Sequence, residues 1–350
     1  MRSLHQQFMS RALSLASNGL GRAATNPLVG CVIVKNNRII AEGYHQGFGQ
    51  PHAEIEAIAN AKESTHNAAL YINLEPCNHY GKTPPCCKAI IQARISTVYI
   101  ADVDPHPLVQ GKGIAALKRA GIIVKIGLLR SAAKKLNYVY YHIVNRQLPY
   151  ISAKWAMSLD GKLITNPGDD RNISAKSTLK LTHKLRYAAD AILIGVNTLL
   201  FDNPKLTIRY HSKKKPLHKI ILAGNRQISK DLNIFADGSA KIFIVTKNKY
   251  LITEFSQQSN VIIVYSRFAE RKRFLKYFFQ WLLKKHHIAS ILVEGGPITH
   301  NELLAFNFIE KIDVIIAPNL IADYTKKRPL KDHRLNKLDK DYVISAHLGA

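Results

Sequence analysis

The sequence predicts two α/β domains in tandem. Its 350 residues are about twice an ordinary domain. Strand-like and helix-like segments alternate through both halves, and the polar stretch Asn145-Arg146-Gln147 with Pro149 separates the two series. The boundary is therefore set between residues 147 and 148, giving domains 1–147 and 148–350.

In the first domain Leu4, Phe8, Ala12 and Leu15/Ala16 form one helical stripe that Asn18-Gly19 ends. The first 24 residues lack acids and carry Arg2, Arg11 and Arg22, as a transit peptide would. The stripe favours an ordinary opening helix. Residues 29–34 and 38–44 read as two strands joined by Lys35-Asn36-Asn37, whose residues tolerate positive φ. A helix is expected at 52–62, a strand at 69–74, a helix at 85–93, a strand at 98–101, a helix at 113–120 and a strand at 122–126. This alternation implies a largely parallel sheet covered on both faces.

The second series opens with a strand at 151–157. Further strands are expected at 191–194, 219–222, 241–245, 261–264, 290–293, 313–316 and 342–347. Helices lie between several of them, including 268–287, where Phe274, Phe278, Trp281 and Leu282 form an apolar stripe. The runs 213–215 and 326–328 read as solvated loop charges.

Composition narrows the function. Apolar residues at 47% and charged residues at 21% suit folded cores. Apolar runs stay well short of the ~18 residues that span a membrane. A net charge of +26 suits nucleic acid, membrane surfaces or phosphorylated small molecules, and does not choose among them. Four cysteines make no disulfide framework, so a reducing cytoplasm is expected.

Three of those cysteines cluster. His52-Ala53-Glu54 precedes Glu75-Pro76-Cys77 and then Pro84-Pro85-Cys86. One imidazole and two thiolates, His52, Cys77 and Cys86, make a zinc site with its fourth position left for water, the catalytic arrangement. Such an ion lowers the pKa of its water toward ~7. Glu54 stands two residues from His52, free to carry protons in a hydrolytic deamination. His52 and Cys86 each open an expected helix, whose positive end would depress the Cys86 thiol. Cys77 follows a strand end, where α/β sheets gather their sites. Cys87, turned about 100° from Cys86 on a helix, and Cys31, inside an apolar run, read as packing residues.

Most zinc deaminases of this class have two residues between the cysteines; here there are eight. The inserted loop carries His79, Lys82 and Thr83. With Thr25-Asn26-Pro27-Leu28-Val29-Gly30-Cys31 and Gly43-Tyr44-His45 it closely resembles the bifunctional riboflavin-biosynthesis deaminase/reductase family, from about Phe8 to the C-terminus. The resemblance implies a cytidine-deaminase-like α/β/α layered first domain. It would bind zinc through His52, Cys77 and Cys86 and use Glu54 to move protons. The substrate would be the diaminopyrimidinone ribosylamine 5′-phosphate, 2,5-diamino-6-(5-phosphoribosylamino)pyrimidin-4-one, near Asn26, His45, His79, Lys82 and Thr83. Asn26 could instead only shape a turn before Pro27, and Lys82 could be a solvated charge.

The second half resembles the family's dihydrofolate-reductase-like α/β domain, which uses NADPH. Its markers are Ala153-Lys154, Ser158-Leu159-Asp160-Gly161-Lys162, Leu206-Thr207-Ile208-Arg209 and Val293-Glu294-Gly295-Gly296-Pro297. The last is a strand entering a glycine turn and a helix start, suited to cofactor phosphate. By resemblance Ala156, Asn172, Thr198, Asp202, Gly224, Gly296, Pro297, Ile298 and Thr299 contact NADPH. Asp170, Arg186, Leu206, Arg209 and Glu294 contact substrate, the two arginines suiting a phosphate. Lys154 would protonate the group at ribose C1′ that receives hydride, turning ribosyl into ribityl; a salt-bridge role is the alternative.

Several positions depart from the family pattern. Asp170-Arg171-Asn172-Ile173-Ser174 replaces a serine and a tryptophan. Ala223-Gly224 replaces an aspartate and a serine, and Ala322-Asp323 a glycine pair. The expected partners are the small-molecule substrate and further copies of the chain in a homo-oligomer, with neither nucleic acid nor membrane. The alternatives are a nucleic-acid-editing deaminase, a deaminase whose second half binds without reducing, and a purely structural zinc.

Overall fold

The computed structural model describes residues 3–80, 84–162, 176–210, 215–266, 270–317, 319–321, 327–338 and 341–348. They divide into two compact units: Met1–Tyr150 with Leu275–Ala289, and Ile151–Phe274 with Ser290–Ala350. None of the described helices is long and apolar enough to cross a membrane.

The first unit runs α1 (Leu4–Ser17), β1 (Gly30–Lys35), β2 (Arg38–Tyr44), α2 (Ala53–Ala59), β3 (Ala69–Ile72), α3 (Cys86–Gln92), β4 (Thr97–Ile100), α4 (Lys112–Arg119), β5 (Ile123–Ile126), α5 (Arg130–Leu136) and α6 (Tyr138–Arg146). Ser3 and Gln6 cap α1 reciprocally, and Phe8, Met9, Ala12, Leu15 and Ala16 are its buried face. Leu4, expected in the stripe, is half exposed because it precedes the first buried turn.

The sheet order is β2-β1-β3-β4-β5. β1 is antiparallel to both β2 and β3, whereas β3-β4 and β4-β5 are parallel. The expectation of a largely parallel sheet is thus corrected to an evenly mixed one: the hairpin inserts β1 between its partner and the parallel strands. Asn36 and Asn37 make that turn with φ of 51° and 59°. Alternate residues feed opposite cores. Cys31 and Ile33 join Leu70, Ile90 and Leu117 on one side, while Val32 and Val34 join Phe8, Met9 and Tyr71 on the other. Burying each such aliphatic side chain contributes about 1.5–3 kcal/mol. Cys31 and Cys87 both lie in the first cluster, as packing residues should. A Cβ on Gly43 would come within 2.4 Å of the Ala57 nitrogen, so glycine lets α2 lie directly on β2.

The chain continues with β6 (Tyr150–Ser158), α7 (Lys176–Ala188), β7 (Ala191–Gly195), α8 (Val196–Asp202), β8 (His218–Gly224), β9 (Ile242–Thr246), α9 (Tyr250–Glu254), β10 (Val261–Tyr265), α10 (Arg271–His286), β11 (Ser290–Val293), α11 (Pro297–Ala305), β12 (Lys311–Ala317), β13 (Asn319–Ile321), β14 (Lys327–Leu338) and β15 (Asp341–Leu348), all in the second unit except Tyr150 and the part of α10 from Leu275 onward, which belong to the first. The second unit is built on a seven-stranded sheet. Its main sheet has the order β10-β9-β8-β7-β11-β6-β12. The pairs β10-β9, β9-β8, β8-β7, β7-β11 and β6-β12 are parallel. β7 and β9 are buried along their whole length, so they read as continuous apolar runs.

Two readings of charged runs change. Lys327 and Arg328 open β14 and pair with Ile321 and Leu320, because an antiparallel ladder is made by backbone groups whatever the side chains; Lys326 lies outside the described residues. Residues 213 and 214 also lie outside them. The Lys215 ammonium is buried, donates to the Ala189 carbonyl at 2.6 Å and faces Asp190 at 4.0 Å. The ammonium also lies 5.6 Å from the centroid of the Tyr187 ring, and burial pushes its pKa down.

Candidate active sites

His52, Cys77 and Cys86 converge. Their ligand atoms all lie within 4.8 Å of one another, and among the described residues theirs is the group that could hold a metal ion. His52 is the N-cap of α2 and Cys86 the first residue of α3, after the N-cap Pro85. The His52 Nδ1 stands 3.1 Å from Cys86 Sγ and 3.6 Å from Cys77 Sγ. One nitrogen and two sulfurs are the donor set of an open zinc site.

The two thiols do not share charge as expected. Cys77 is drawn below the ordinary thiol range by hydrogen bonds from the Cys86 thiol and from His52, and by the Cys86 N–H at 3.4 Å. Cys86 is pushed up by donating to Cys77 and by burial. The depression expected at Cys86 falls on Cys77, chiefly because the Cys86 thiol donates to the Cys77 sulfur, with the Cys86 N–H adding to it. Glu54, 3% exposed, is raised to about 7, chiefly by burial.

A cavity of about 560 Å³ opens over this group, lined among others by Asn26, His45, His52, Glu54, Cys77 and His79. Sequence reasoning had named all six. His45 Nδ1 donates to the Pro51 carbonyl at 3.0 Å, which leaves Nε2 to accept from the Asn26 amide at 3.0 Å. Burial lowers the pKa of His45, which favours the neutral ring this pairing requires. Lys82 and Thr83 lie outside the described residues.

Other lining residues had been given no role. Glu75 accepts four backbone N–H groups, from Asp104 at 3.3 Å, Gly111 and Gly113 at 3.0 Å and Ile114 at 3.1 Å, fixing the loop that enters α4 beside the cavity. Its place immediately before Pro76-Cys77 was the available signal. Asp104 accepts from the Tyr140 hydroxyl at 2.9 Å and from the His106 N–H at 2.8 Å. Leu283, Lys284 and His287 complete the wall; they reach it through tertiary folding, which left no local signal.

In the second unit the Arg186 guanidinium grips Glu294 bidentately at 2.7 and 2.8 Å and donates to the Thr207 carbonyl at 3.1 Å. This engages the fork expected to face phosphate, and leaves Arg209, which is exposed, as the second cation. The Arg209 N–H donates to Nδ1 of the buried His183 at 3.0 Å. Burial lowers the pKa of Lys154 against the pull of Glu294. The Leu206 side chain, expected at the substrate, lies in the core at φ +49°.

A second cavity, of about 300 Å³, is lined by Thr198, Gly224, Gly296, Pro297, Ile298 and Thr299, among others. Ala156 and Asp202, also expected at the cofactor, are not among its lining residues. Ala156 lies in β6 opposite Ile315, and Asp202 ends α8. Gly224 has φ +58°, a conformation that the usual serine would strain to adopt. Gly296 caps α11 with Pro297 in the first turn; Pro297 has no N–H and the Thr299 and His300 N–H groups bond the Gly296 carbonyl at 3.1 and 3.2 Å, so the fit for cofactor phosphate rests on the positive end of the helix at the cavity. Asp170, Asn172 and Ala322-Asp323 lie outside the described residues.

Residues 2–102 match the family profile of the cytidine and deoxycytidylate deaminase zinc-binding region, and residues 149–345 that of the RibD C-terminal domain. The riboflavin biosynthesis protein RibD of Aquifex aeolicus (strain VF5) is 38% identical over 323 residues, 92% of this chain and 89% of that protein. The RibD of Escherichia coli (strain K12) is 34% identical over 331 residues, 91% of this chain and 88% of that protein. Among solved structures, form 1 of Acinetobacter baumannii RibD superposes with a TM-score of 0.81 at 29% identity, covering 99% of both chains. A diaminohydroxyphosphoribosylaminopyrimidine deaminase/5-amino-6-(5-phosphoribosylamino)uracil reductase from Thermotoga maritima gives 0.81 at 31% identity, again with 99% of both chains covered.

Proposed function

The chain belongs to the RibD family of riboflavin biosynthesis, and from that premise we propose which of its residues carry the two reactions. It is a bifunctional enzyme: a zinc-binding deaminase joined to a reductase that uses NADPH. The activities divide at residues 147 and 148, a reading supported by the profile match that starts at 149.

In the deaminase, His52, Cys77 and Cys86 hold the zinc, which when bound supplies a Lewis acid that makes water nucleophilic near neutral pH. Glu54 takes a proton from the attacking water and returns one to the departing ammonia. A carboxyl group near 7 can do both at neutral pH. Asn26, His45 and His79, on the same cavity wall, bind the pyrimidine ribosylamine phosphate, with Lys82 and Thr83 in the adjoining loop.

In the reductase, Thr198, Gly224 and residues 296–299 hold NADPH, which supplies hydride to ribose C1′. Ala156, Asn172 and Asp202 complete that set. Lys154, lowered by burial, hands a proton to the group that opens at C1′. Arg209 and Asp170 meet the substrate, while Arg186 and Glu294 shape its site as a pair. The enzyme works in the cytoplasm as a homo-oligomer. Ile312, Val314 and Ile316, exposed on alternate positions of the edge strand β12, support self-association.

The observation that carries the deaminase assignment is the meeting of three donors from separate stretches of chain beside the buried Glu54. A coupled assay on the diaminopyrimidinone phosphate, with ammonia and NADPH followed separately, tests each half. Ammonia release followed by NADPH oxidation is expected. Zinc-loaded enzyme that releases no ammonia would overturn the first assignment, and no oxidation of the deaminated intermediate would overturn the second.

A further inference from the structure

The deaminase cavity has a mouth whose chemistry differs from its floor. All three carboxylates among its lining residues are buried and engaged. Glu54 adjoins the metal-ligand group, Glu75 accepts four backbone N–H groups, and Asp104 holds Tyr140 and the His106 N–H. Among the described residues, the exposed lining positions carry no acid. They include Phe48, Gln50, His79, Lys284 and His287.

Lys284 belongs to the last turn of α10, where cations are ordinary because they offset the helix dipole. His287 is not ordinary. It follows the last residue of α10 with φ +54°, where glycine is the usual occupant and a side chain is strained. The Ile288 N–H closes back to the Leu282 carbonyl at 3.2 Å, so the turn is fixed. Its ring lies 5.0 Å from that of Phe48, at the cavity mouth. A backbone conformation held against its steric cost, in a residue whose imidazole shares a cavity wall with an ammonium, marks a recognition element.

We propose that Lys284 and His287 form a subsite for the dianionic phosphomonoester end of the substrate during deamination. This rests on the deaminase reading and adds to it a pair of residues from far along the chain. The substrate's phosphate lies at the opposite end of the molecule from the amine that leaves. An ammonium and an imidazole at the mouth hold that end while the ring reaches the floor.

The test uses the full-length, zinc-loaded enzyme with Lys284→Met, His287→Gly and the double variant. Ammonia release is measured from the diaminopyrimidinone ribosylamine 5′-phosphate and from its dephosphorylated counterpart. Each single change should raise KM for the phosphorylated substrate about tenfold, as expected for a lost charged hydrogen bond. kcat, and KM for the dephosphorylated substrate, should not move. His287→Gly should hold or raise the melting temperature, because glycine relieves the positive φ. Unchanged KM for the phosphorylated substrate, or equal losses on both substrates, would overturn the subsite. If the wild-type enzyme releases no ammonia at all, the deaminase reading fails first, and that result is read before any variant is made.

Discussion

The Asn26 amide donates to Nε2 of His45 at 3.0 Å, while Nδ1 of the same ring donates to the Pro51 carbonyl at 3.0 Å. The histidine thereby joins the loop before β1 to the approach to α2, directly behind His52, whose ring is 5.7 Å away. His45→Phe keeps the volume and removes both bonds. Both bonds are only part-buried, so leaving the amide and carbonyl unpaired costs less than the about 1–3 kcal/mol of a fully buried group. Deamination kcat/KM should fall at least tenfold while bound zinc, measured by metal analysis, stays at one per chain.

Glu54→Gln separates proton transfer from metal binding. The change keeps shape and removes the base, so ammonia release should drop by about 10²–10⁴. Zinc content should stay that of the wild type, since the donors are His52, Cys77 and Cys86. NADPH oxidation with the deaminated intermediate should be unaltered. A fully active variant would mean that the zinc is structural.

Chelation gives the complementary result. Stripping zinc should abolish ammonia release and lower the melting temperature, because folding free energy is linked to metal binding. NADPH oxidation should survive if the two activities are independent.

The metal ligands were legible in the sequence because catalysis needs rare residue types at strand ends and helix starts, and His52, Cys77 and Cys86 stand there. The β1-β2 hairpin was legible through Asn36 and Asn37, which take positive φ cheaply. α5 and α6 were not anticipated. In α6 the run Tyr138-Val139-Tyr140-Tyr141-His142 mixes aromatic and β-branched residues that favour strands in isolation, and packing of Ile143 against Leu283 and Ala289 decides for helix. The strand β14 was hidden because its lysines and arginines carry no alternating apolar signal. The engagement of Arg186 by Glu294, 108 residues away, depends on tertiary contact that no local spacing reveals.

That pair should respond to substitution differently from Arg209. Arg186 and Glu294 have side chains only 12% and 10% exposed, so removing one leaves the other charge buried and uncompensated. Such a loss costs about 3–5 kcal/mol. Glu294→Ala should therefore lower the melting temperature and abolish NADPH oxidation together. Arg209→Ala, at an exposed side chain, should leave the melting temperature in place and raise KM for the phosphorylated intermediate. Equal destabilisation by the two changes would refute this division of roles.

Acid should weaken the reductase unit through histidines held neutral. Burial lowers the pKa of His183, helped by the charges of Arg186 and Arg209, and lowers that of His300, whose Nδ1 pairs with the Gly296 carbonyl at 3.2 Å. In the unfolded chain both titrate near 6.5. Above that value neither state binds the proton and folding is unaffected. As pH falls below it the unfolded chain gains protons first, so stability declines until the lower folded pKa is reached. The urea midpoint of zinc-loaded enzyme should fall between pH 7 and pH 5.5. His183→Asn and His300→Asn should each flatten that slope, even where they lower the midpoint at pH 7. A slope identical in wild type and both variants would show that other groups govern the acid response.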